Sequence, residues 1–285
     1  ITVNTTADRA WRDKYYKTTL QQVLRKAVVA EKVCEVDRSD NYRIQNPYGG
    51  QPTATVQALA GTYTVSAWTT TADALTVTDE FIYSEHVFDF ERVLQSYDMI
   101  ASRVNEMAYA VAYAIDDFVI NNLCEDGTGT YTTPAGGFTT AGNVVTILGA
   151  LISRVAGYAD IYRGLFLIVE NTDVAGIAVA QANSGFSYAD AAMNNGFLTK
   201  MLGVDIYVVR TATFRDATVG SITFTNSGKR VFGVKGAATY ASPRGIQVEE
   251  KDVTLKTGKE LVVYGYCGFK LWAQKTALVV EITIA

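Results

Sequence analysis

The sequence predicts an α+β protein, and three features support this prediction. One long segment repeats its apolar residues with helical spacing, several short segments alternate as strands do, and a fully apolar run precedes a helical segment. The chain has 285 residues, of which 48% are hydrophobic and 19% are charged. This composition is typical of a globular protein with one large domain or two modest ones, and it argues against long disorder.

The longest predicted element is a helix over residues 90–123. Apolar residues recur there every seven positions, from Phe90 through Tyr97 and Val104, and no Pro or Gly interrupts them. A helix of this length extends about 50 Å, roughly the diameter of a compact chain of this size. Such a rod favours an elongated building block over a round enzyme, although a core helix of a large domain has the same periodicity.

The two segments before this helix differ from it in composition. Residues 1–35 are rich in Lys and Arg and include one stretch with helical spacing, so we expect a basic N-terminal arm. Residues 36–85 are rich in Thr and poor in large apolar side chains, with turn signals at 46–52 and 71–73. We expect an extended β-hairpin that packs on a second surface. For the arm, an amphipathic helix docked on the body is favoured over a segment that reaches a neighbouring chain or a polyanion. For residues 36–85, the alternative is a β-rich excursion packed on its own chain.

The remainder of the chain mixes helical and strand patterns. The sequence Asn-Ser-Gly-Lys at 226–229 predicts a hairpin turn between two short strands. The predicted elements are helices over 144–158 and from 172 or 173 to about 182, and strands over 81–88, 165–169, 204–209, 222–225, 230–234, 245–255, 261–273 and 277–284.

The sequence predicts no catalytic residue, no cofactor and no metal site. His86 is the only histidine, and the three cysteines are far apart, which excludes a common zinc site. The chain has no nucleophile elbow, Walker-type phosphate loop or dinucleotide-binding glycine motif. The paired acids at 116–117 and 249–250 are interpreted as solvated charges or ion-pair partners, because adjacent side chains point in different directions.

Charge and hydropathy exclude two further classes of function. The net charge of −4 gives no general basic signature of a nucleic-acid-binding protein. The apolar runs are too short to span a bilayer, so we expect no membrane partner. Three separated cysteines without a CxxC pair fit a reducing compartment.

The order of these parts resembles that of the major capsid proteins of tailed double-stranded DNA phages, which have the Hong Kong 97-type fold. The resemblance lies in residues 75–81 leading into the long helix, in 165–175, in 195–209 and in the segment from Gly245, and it extends over nearly the whole chain. It is a resemblance of architecture, because the family has no short diagnostic motif.

The resemblance implies an α+β, Hong Kong 97-like capsid fold with four parts. These are an N-terminal arm (1–35), an extended β-hairpin loop (36–85), a peripheral domain (86–133 and 236–285) with a spine helix (90–123) and its sheet, and an α/β axial domain (134–235).

The resemblance also implies a function. It implies a coat protein that self-assembles through pentamers and hexamers into an icosahedral phage head, and that contacts the packaged double-stranded DNA non-specifically. The expected location is the virion, with the host cytoplasm during assembly, and scaffolding, portal and decoration proteins are the further partners that the family allows. The alternatives are an encapsulin-type shell with protein cargo, an enzyme of unrecognised class, and another phage structural protein.

One departure from the family concerns crosslinking. Some members join their subunits by an isopeptide bond from a Lys in the extended loop, and this chain has no Lys between Lys32 and Lys200. We therefore expect no crosslinking of that type. Six residues of the predicted hairpin and its root are candidate contacts between subunits, as aromatic anchors or ion-pair partners, although solvated loop charges are an equally good interpretation of the charged ones. They are Asp37, Arg38, Asp40, Arg43, Tyr63 and Trp68.

Overall fold

The computed structural model describes residues 28–49, 70–88, 99–183, 197–211, 213–219, 222–252 and 258–285, together with Ala54, Val56 and Gly61. The predicted arm up to residue 27, most of the predicted hairpin tip and residues 90–98 of the predicted long helix lie outside these ranges.

The described residues contain four α-helices and fifteen strands. The helices are α1 (Ala30–Val33), α2 (Met99–Glu125), α3 (Ala141–Val155) and α4 (Val174–Asn183). The strands are β1 (Glu35–Asp37), β2 (Arg43–Gly49), β3 (Thr70–Thr76), β4 (Asp79–Val87), β5 (Gly129–Thr132), β6 (Leu165–Glu170), β7 (Phe197–Met201), β8 (Val204–Val209), β9 (Asp216–Val219), β10 (Ile222–Thr225), β11 (Lys229–Val234), β12 (Ala238–Ala241), β13 (Ile246–Asp252), β14 (Lys259–Leu271) and β15 (Val279–Thr283).

The described part of the predicted long helix is α2, which is continuous from Met99 to Glu125 and ends two residues beyond the predicted position. Its seven-residue apolar repeat forms a buried stripe that includes Val111 and Phe118. Burial spreads over the whole circumference toward the C-terminal end, where even Asn121 and Asn122 are buried. The helix is therefore covered on several sides there.

β14 is the centre of a five-stranded sheet, the first sheet. β4 and β13 both run antiparallel to β14 and both pair with its residues 259–265, so they occupy opposite edges of it. β12 pairs with the C-terminal end of β14, and β1 joins β12 in parallel. Val111 and Ile115 of α2 lie against Gly265, so the helix covers one face of this sheet.

The second sheet has six strands in the order β5-β15-β11-β6-β8-β7. The pairs β5–β15 and β6–β8 are parallel and the other pairs are antiparallel. Every residue of β6 is buried, as expected for a fully apolar strand at the centre of a sheet. α3 turns its buried stripe toward α4 and β11, and one hydrophobic cluster joins α2, both sheets, α3 and α4.

The domain boundaries remain predictions. The pairing places β5 and β15, which belong to the predicted peripheral ranges 86–133 and 236–285, in the same sheet as strands of the predicted axial range 134–235. The second sheet therefore draws on both parts of the chain.

Two of the turn predictions are wrong. Residues 46–49 belong to β2 and residues 71–73 belong to β3. The two strands pair antiparallel, from Arg43 opposite Thr76 to Gly49 opposite Thr70. Pro47 is tolerated because both strands of a two-stranded ribbon are edge strands. β2 has no second neighbour that would need a hydrogen bond from the missing N–H.

The predicted hairpin between 222–225 and 230–234 is also wrong. β10 pairs with β9 in a separate ribbon, whereas β11 pairs with β15 and β6 in the second sheet. Asn226 is fully buried between them, and its side-chain amide donates to the backbone oxygen of Asn121 in α2 at 3.0 Å. This tertiary bond directs the chain away from β10 instead of closing a hairpin.

Among the helices described, none combines the length and the apolar character needed to cross a membrane.

Candidate functional site

The structure assigns different surroundings to the two predicted acid pairs. Asp116 and Asp117 of α2 are buried instead of solvated. Asp117 forms an ion pair with Arg215 at 2.6 Å, while Asp116 accepts hydrogen bonds from two backbone N–H groups of the segment before α1 and its first residue. Glu249 and Glu250 form surface ion pairs with Lys251 and Lys259. In the parts of the chain that the structure describes, no group of His, Cys, Asp and Glu side chains is arranged to hold a metal ion.

The described surface is notable for the β2–β3 ribbon, which is the root of the predicted extended hairpin. Most of its residues are exposed or half-buried, and only Leu75 of the two strands is fully buried. Leu75 and Val77 pack with Ala241 and Trp272 in a small cluster that is separate from the main core. The ribbon is thus fixed to the body near the end of β3, at the point that we call the ribbon root.

A partly buried carboxylate strengthens this attachment. Asp73 of β3 accepts a hydrogen bond from the backbone N–H of Ala273 at 3.0 Å and forms an ion pair with Lys270 at 3.2 Å. Burial raises the pKa of Asp73, but the hydrogen bonds from Ala273, Lys270 and Ala74 outweigh it and hold the pKa below its usual value. The charged form therefore links the ribbon to the end of β14. Sequence reasoning missed this role because Asp in Thr-Ala-Asp is a typical turn residue.

A close backbone approach completes the root. A Cβ at Gly268 of β14 would lie 2.5 Å from the backbone oxygen of Thr76 and 2.8 Å from the Cα of Val77. Only glycine leaves room for the chain between β3 and β4 at this point. No signal in the single sequence distinguishes this glycine from the 22 others.

The four charged candidate contacts lie near one another at the beginning of the ribbon, but three of them have partners within the chain. Arg38 forms an ion pair with Glu31 at 3.0 Å, and Asp40 lies 3.8 Å from Arg244, with all four side chains exposed. Asp37 accepts a hydrogen bond from the backbone N–H of Ser39 at 2.8 Å, and its hydrogen bonds with Ser39 lower its pKa.

The remaining candidate contacts are Arg43, Tyr63 and Trp68. Arg43 is an exposed residue of β2, and no ion pair of it occurs among the described residues. Tyr63 and Trp68 lie outside the described residues. The role of all six residues between subunits remains a prediction.

The first sheet has an exposed apolar strip on the face opposite α2. Cross-strand pairing places Ile82 beside Tyr264, and Tyr266 follows Tyr264 on the same face. Ile82 is 60% exposed and Tyr266 is 36% exposed, and the hydroxyl of Tyr264 donates to Glu249 at 2.7 Å. Alternation in the sequence over 81–88 signalled the strand, but it could not tell which of its faces is left open.

A groove connects this strip with the ribbon root. It has a volume of about 520 Å³, and its lining includes Tyr42, which is 69% exposed, together with Val77, Arg244 and Tyr266. The ribbon, the groove and the open sheet face therefore form one continuous surface of mixed apolar and charged character. Such a surface suits contact with another protein chain better than binding of a small molecule.

The three cysteines lie in the core and are free. Burial raises the pKa of all three thiols, that of Cys267 to about 12. They behave as small apolar residues, and none is activated as a nucleophile.

No model of a known protein family matches the sequence, and neither does any curated protein sequence. Solved structures do match. The capsid of cyanophage P-SCSP1u aligns over 96% of this chain and 94% of that chain, with 15% identity and a TM-score of 0.72. A chain from Mycobacterium phage Che8 aligns over 94% and 95%, with 17% identity and a TM-score of 0.72.

A third structure, the capsid of the empty GTA particle, aligns over 94% of both chains with 15% identity and a TM-score of 0.68. These alignments extend over nearly the whole of both chains, and they confirm the fold class that the sequence predicts. The chain has the α+β, Hong Kong 97-type capsid fold.

Proposed function

We propose that this chain is a major capsid protein, which self-assembles into the icosahedral head of a tailed phage. The observation that supports this most strongly is the similarity to phage capsid chains over almost the full length of both partners, with nothing large added or missing. Capsid proteins act by association with one another. We therefore expect the functional parts of this chain to be its surfaces and not a catalytic pocket.

The extended hairpin is the proposed principal contact between copies. Its described root is held to the body by a small apolar cluster and by Asp73, while the ribbon beyond is largely solvent-exposed. Residues 50–69 contain Tyr63 and Trp68, whose large side chains bury the most area per residue when they pack on a neighbour. Burial contributes about 25 cal/mol per Å² before ordering costs, so modest contacts repeated around a shell add up.

The charged residues at the root are proposed to exchange partners on assembly. The pairs Arg38–Glu31 and Asp40–Arg244 are exposed, and Arg38 and Asp40 lie between Asp37 and Arg43 in the chain. Exposed pairs contribute little to the stability of a single chain, so a neighbouring copy can replace one partner at small cost.

The first test is electron microscopy of the purified protein, with nuclease treatment of the particles. Closed shells that protect double-stranded DNA support a phage head, with location in the virion. Closed shells that hold protein instead of DNA support the encapsulin-type alternative. Protein that stays monomeric at high concentration contradicts both. Scaffolding, portal and decoration proteins are proposed as further partners, to be identified by co-purification with the particles.

The second test shortens the hairpin. Gly49 and Thr70 face each other at the end of the ribbon, so an Asn-Gly turn can replace residues 50–69 without disturbing the body. The variant should unfold at the same denaturant concentration as the natural chain but form no closed shells, because the contact with the neighbour is lost.

Trp68→Ala should give a weaker form of the same defect. Trp272→Phe removes an indole from the ribbon root but keeps an aromatic ring in the small cluster and the whole hairpin, so this variant should still assemble. Closed shells of ordinary size from the shortened variant would contradict the proposed role of the hairpin.

A further inference from the structure

The N-terminal end of the described chain is joined to the body by an unusual buried contact. Oδ1 of Asp116 in α2 accepts hydrogen bonds from the backbone N–H groups of Val29 at 2.8 Å and Ala30 at 2.6 Å. Val29 and Ala30 are buried, and Asp116 itself is only 3% exposed. The contact links residues 86 and 87 positions apart in the sequence, so it fixes the beginning of the described chain on the long helix.

The same segment contacts both sheets. The backbone oxygen of Val33 accepts from the N–H of Gly236, β1 pairs with β12 of the first sheet, and Lys32 lies over the ring of Tyr207 in the second sheet. Residues 28–37, which we call the N-terminal strap, therefore hold α2 and the two sheets together.

The charge environment of Asp116 is unfavourable for an ionised carboxylate. Among the described residues, no Lys or Arg forms an ion pair with it, and its neighbours Asp117 and Glu31 are acids already paired with Arg215 and Arg38. A buried carboxylate without a cation is costly, and nearby acids add to the cost. The titratable and charged groups around it, taken from each packed element, are Asp117 on α2, Glu31 and Cys34 on the strap, Arg38 directly after the strap, Tyr240 on β12 and Arg244 on the turn after β12.

Solvent can reach this site through a groove. The groove has a volume of about 450 Å³ and lies between the strap, α2 and the beginning of β13, with Asp116 in its lining. A proton can therefore bind the carboxyl group while Oδ1 keeps its two backbone donors.

We propose that Asp116 makes the seating of the N-terminal strap on the long helix depend on proton binding, so that the strap is held more tightly in mildly acidic than in mildly alkaline solution. When the strap is lifted, Asp116 is exposed and ionises as an ordinary Asp. When the strap is seated, the buried group prefers the neutral form.

The direction of the pH effect follows from this difference. Burial, with smaller contributions from Asp117 and Glu31, raises the pKa of Asp116 to about 7 in the seated state, despite the opposing backbone hydrogen bonds. The exposed group has a pKa of about 3.9. The contribution of Asp116 to the stability of the seated strap is therefore complete at acidic pH. It is lost progressively as the pH rises from about 4 to about 7, and it does not change further above that.

The experiment is amide hydrogen exchange of the full chain, in whichever assembled form it purifies, at pH 5, 6, 7, 8 and 9. After correction for the intrinsic exchange rate, protection of the Val29 and Ala30 amides should fall on the order of tenfold or more from pH 5 to pH 8, and it should be level from pH 8 to pH 9. Amides of the fully buried β6 should show no such change.

Asp116→Asn keeps an oxygen acceptor and removes the charge, so its strap protection should not vary over this pH range. Asp160→Asn, the same chemical change at an exposed ion pair, should behave as the natural chain. Strap protection that is constant with pH in the natural chain overturns the proposal, and so does a pH dependence that persists in Asp116→Asn. The first result requires only the natural chain, so it holds even if the variant fails to fold.

Discussion

At the scale of the residue, the structure shows how single positions fix the hairpin root. Gly268 and Trp272, at the end of β14, meet Asp73 of the distant strand β3 where the ribbon leaves the body. Each does a different task, since the glycine leaves space, the carboxylate supplies two polar links and the indole fills the small cluster. None of these tasks has a signature in local sequence.

We expect Gly268→Ala to destabilise the protein by about 1–3 kcal/mol, because the new methyl group would collide with the backbone of Thr76 and Val77, which cannot rotate away as a side chain can. The measurement is the free energy of unfolding in denaturant.

The matched control is Gly149→Ala in α3, where a Cβ meets nothing within 4 Å. It should stabilise the protein by about 0.5–1 kcal/mol, because alanine loses less conformational freedom in a helix. Equal stability of Gly268→Ala and the natural chain would show that the approach at the root is not tight in solution.

At the scale of the element, a buried ion cluster joins β11 to the end of β6 and the beginning of α4. Arg230 of β11 is 5% exposed and contacts Asp173 at 2.5 Å and Glu170 at 3.2 Å. The backbone N–H of Glu170 donates to Asp173 at 3.2 Å, so the two acids also cap the helical turn that leads into α4.

Arg230→Met should cost about 3–5 kcal/mol, because it leaves two carboxylates buried without a cation. Thermal or denaturant unfolding measures the loss. Adding Glu170→Gln and Asp173→Asn to the variant should restore much of it, since the uncompensated charges are then removed.

Arg244→Met is the control for loss of an arginine. Its pair with Asp40 is 3.8 Å long and exposed, so the change should stay within about 0.5 kcal/mol. If Arg230→Met were as stable as this control, the cluster would not stabilise the second sheet.

Elements defined by a local pattern were predicted well from the sequence. The alternating residues of β8 and the apolar run of β6 lie within one residue of their predicted bounds, because burial imposes the pattern directly on each strand. The turn signals at 46–49 and 71–73 failed, because pairing between β2 and β3 and the links to Asp73 override local propensity.

The candidate site was predicted less completely. The extended hairpin stays a prediction, and the structure describes only the two largely exposed strands at its root. The burial of Asp116, the partners of Asp73 and the open face around Ile82 depend on contacts across the fold, to which a single sequence gives no access. The roles of Tyr63 and Trp68 as contacts between subunits stay predictions.

At the scale of the whole molecule, the described residues form a two-sheet body, which includes the β9–β10 ribbon in its hydrophobic cluster, and the attached β2–β3 ribbon. The body is closed by a single hydrophobic cluster, whereas the ribbon packs on its own small cluster. This division predicts that association and folding can be separated by mutation, as the shortened-hairpin variant tests.

Mixing that variant with the natural chain should reduce shell formation more than in proportion to its fraction. A subunit without the hairpin can still receive the hairpin of one neighbour on its surface, but it has no hairpin to contact the other neighbour. A ring or shell that contains such subunits is therefore interrupted. Co-expression at graded ratios, with particles counted by microscopy, measures the effect. A decline in strict proportion to the added variant would mean that it is simply left out of the shells.

The construction of the first sheet has a consequence for how the protein is made. Its longest pairing joins the edge strand β4, at residues 79–87, to β14 at residues 259–267, and every strand of the second sheet except β15 lies between them in the chain. While a ribosome is still translating that interval, β4 has no partner and its apolar side chains have no cover. Until β14 has been translated, a nascent chain therefore cannot complete the first sheet, and the face that carries Ile82 and Tyr264 does not yet exist.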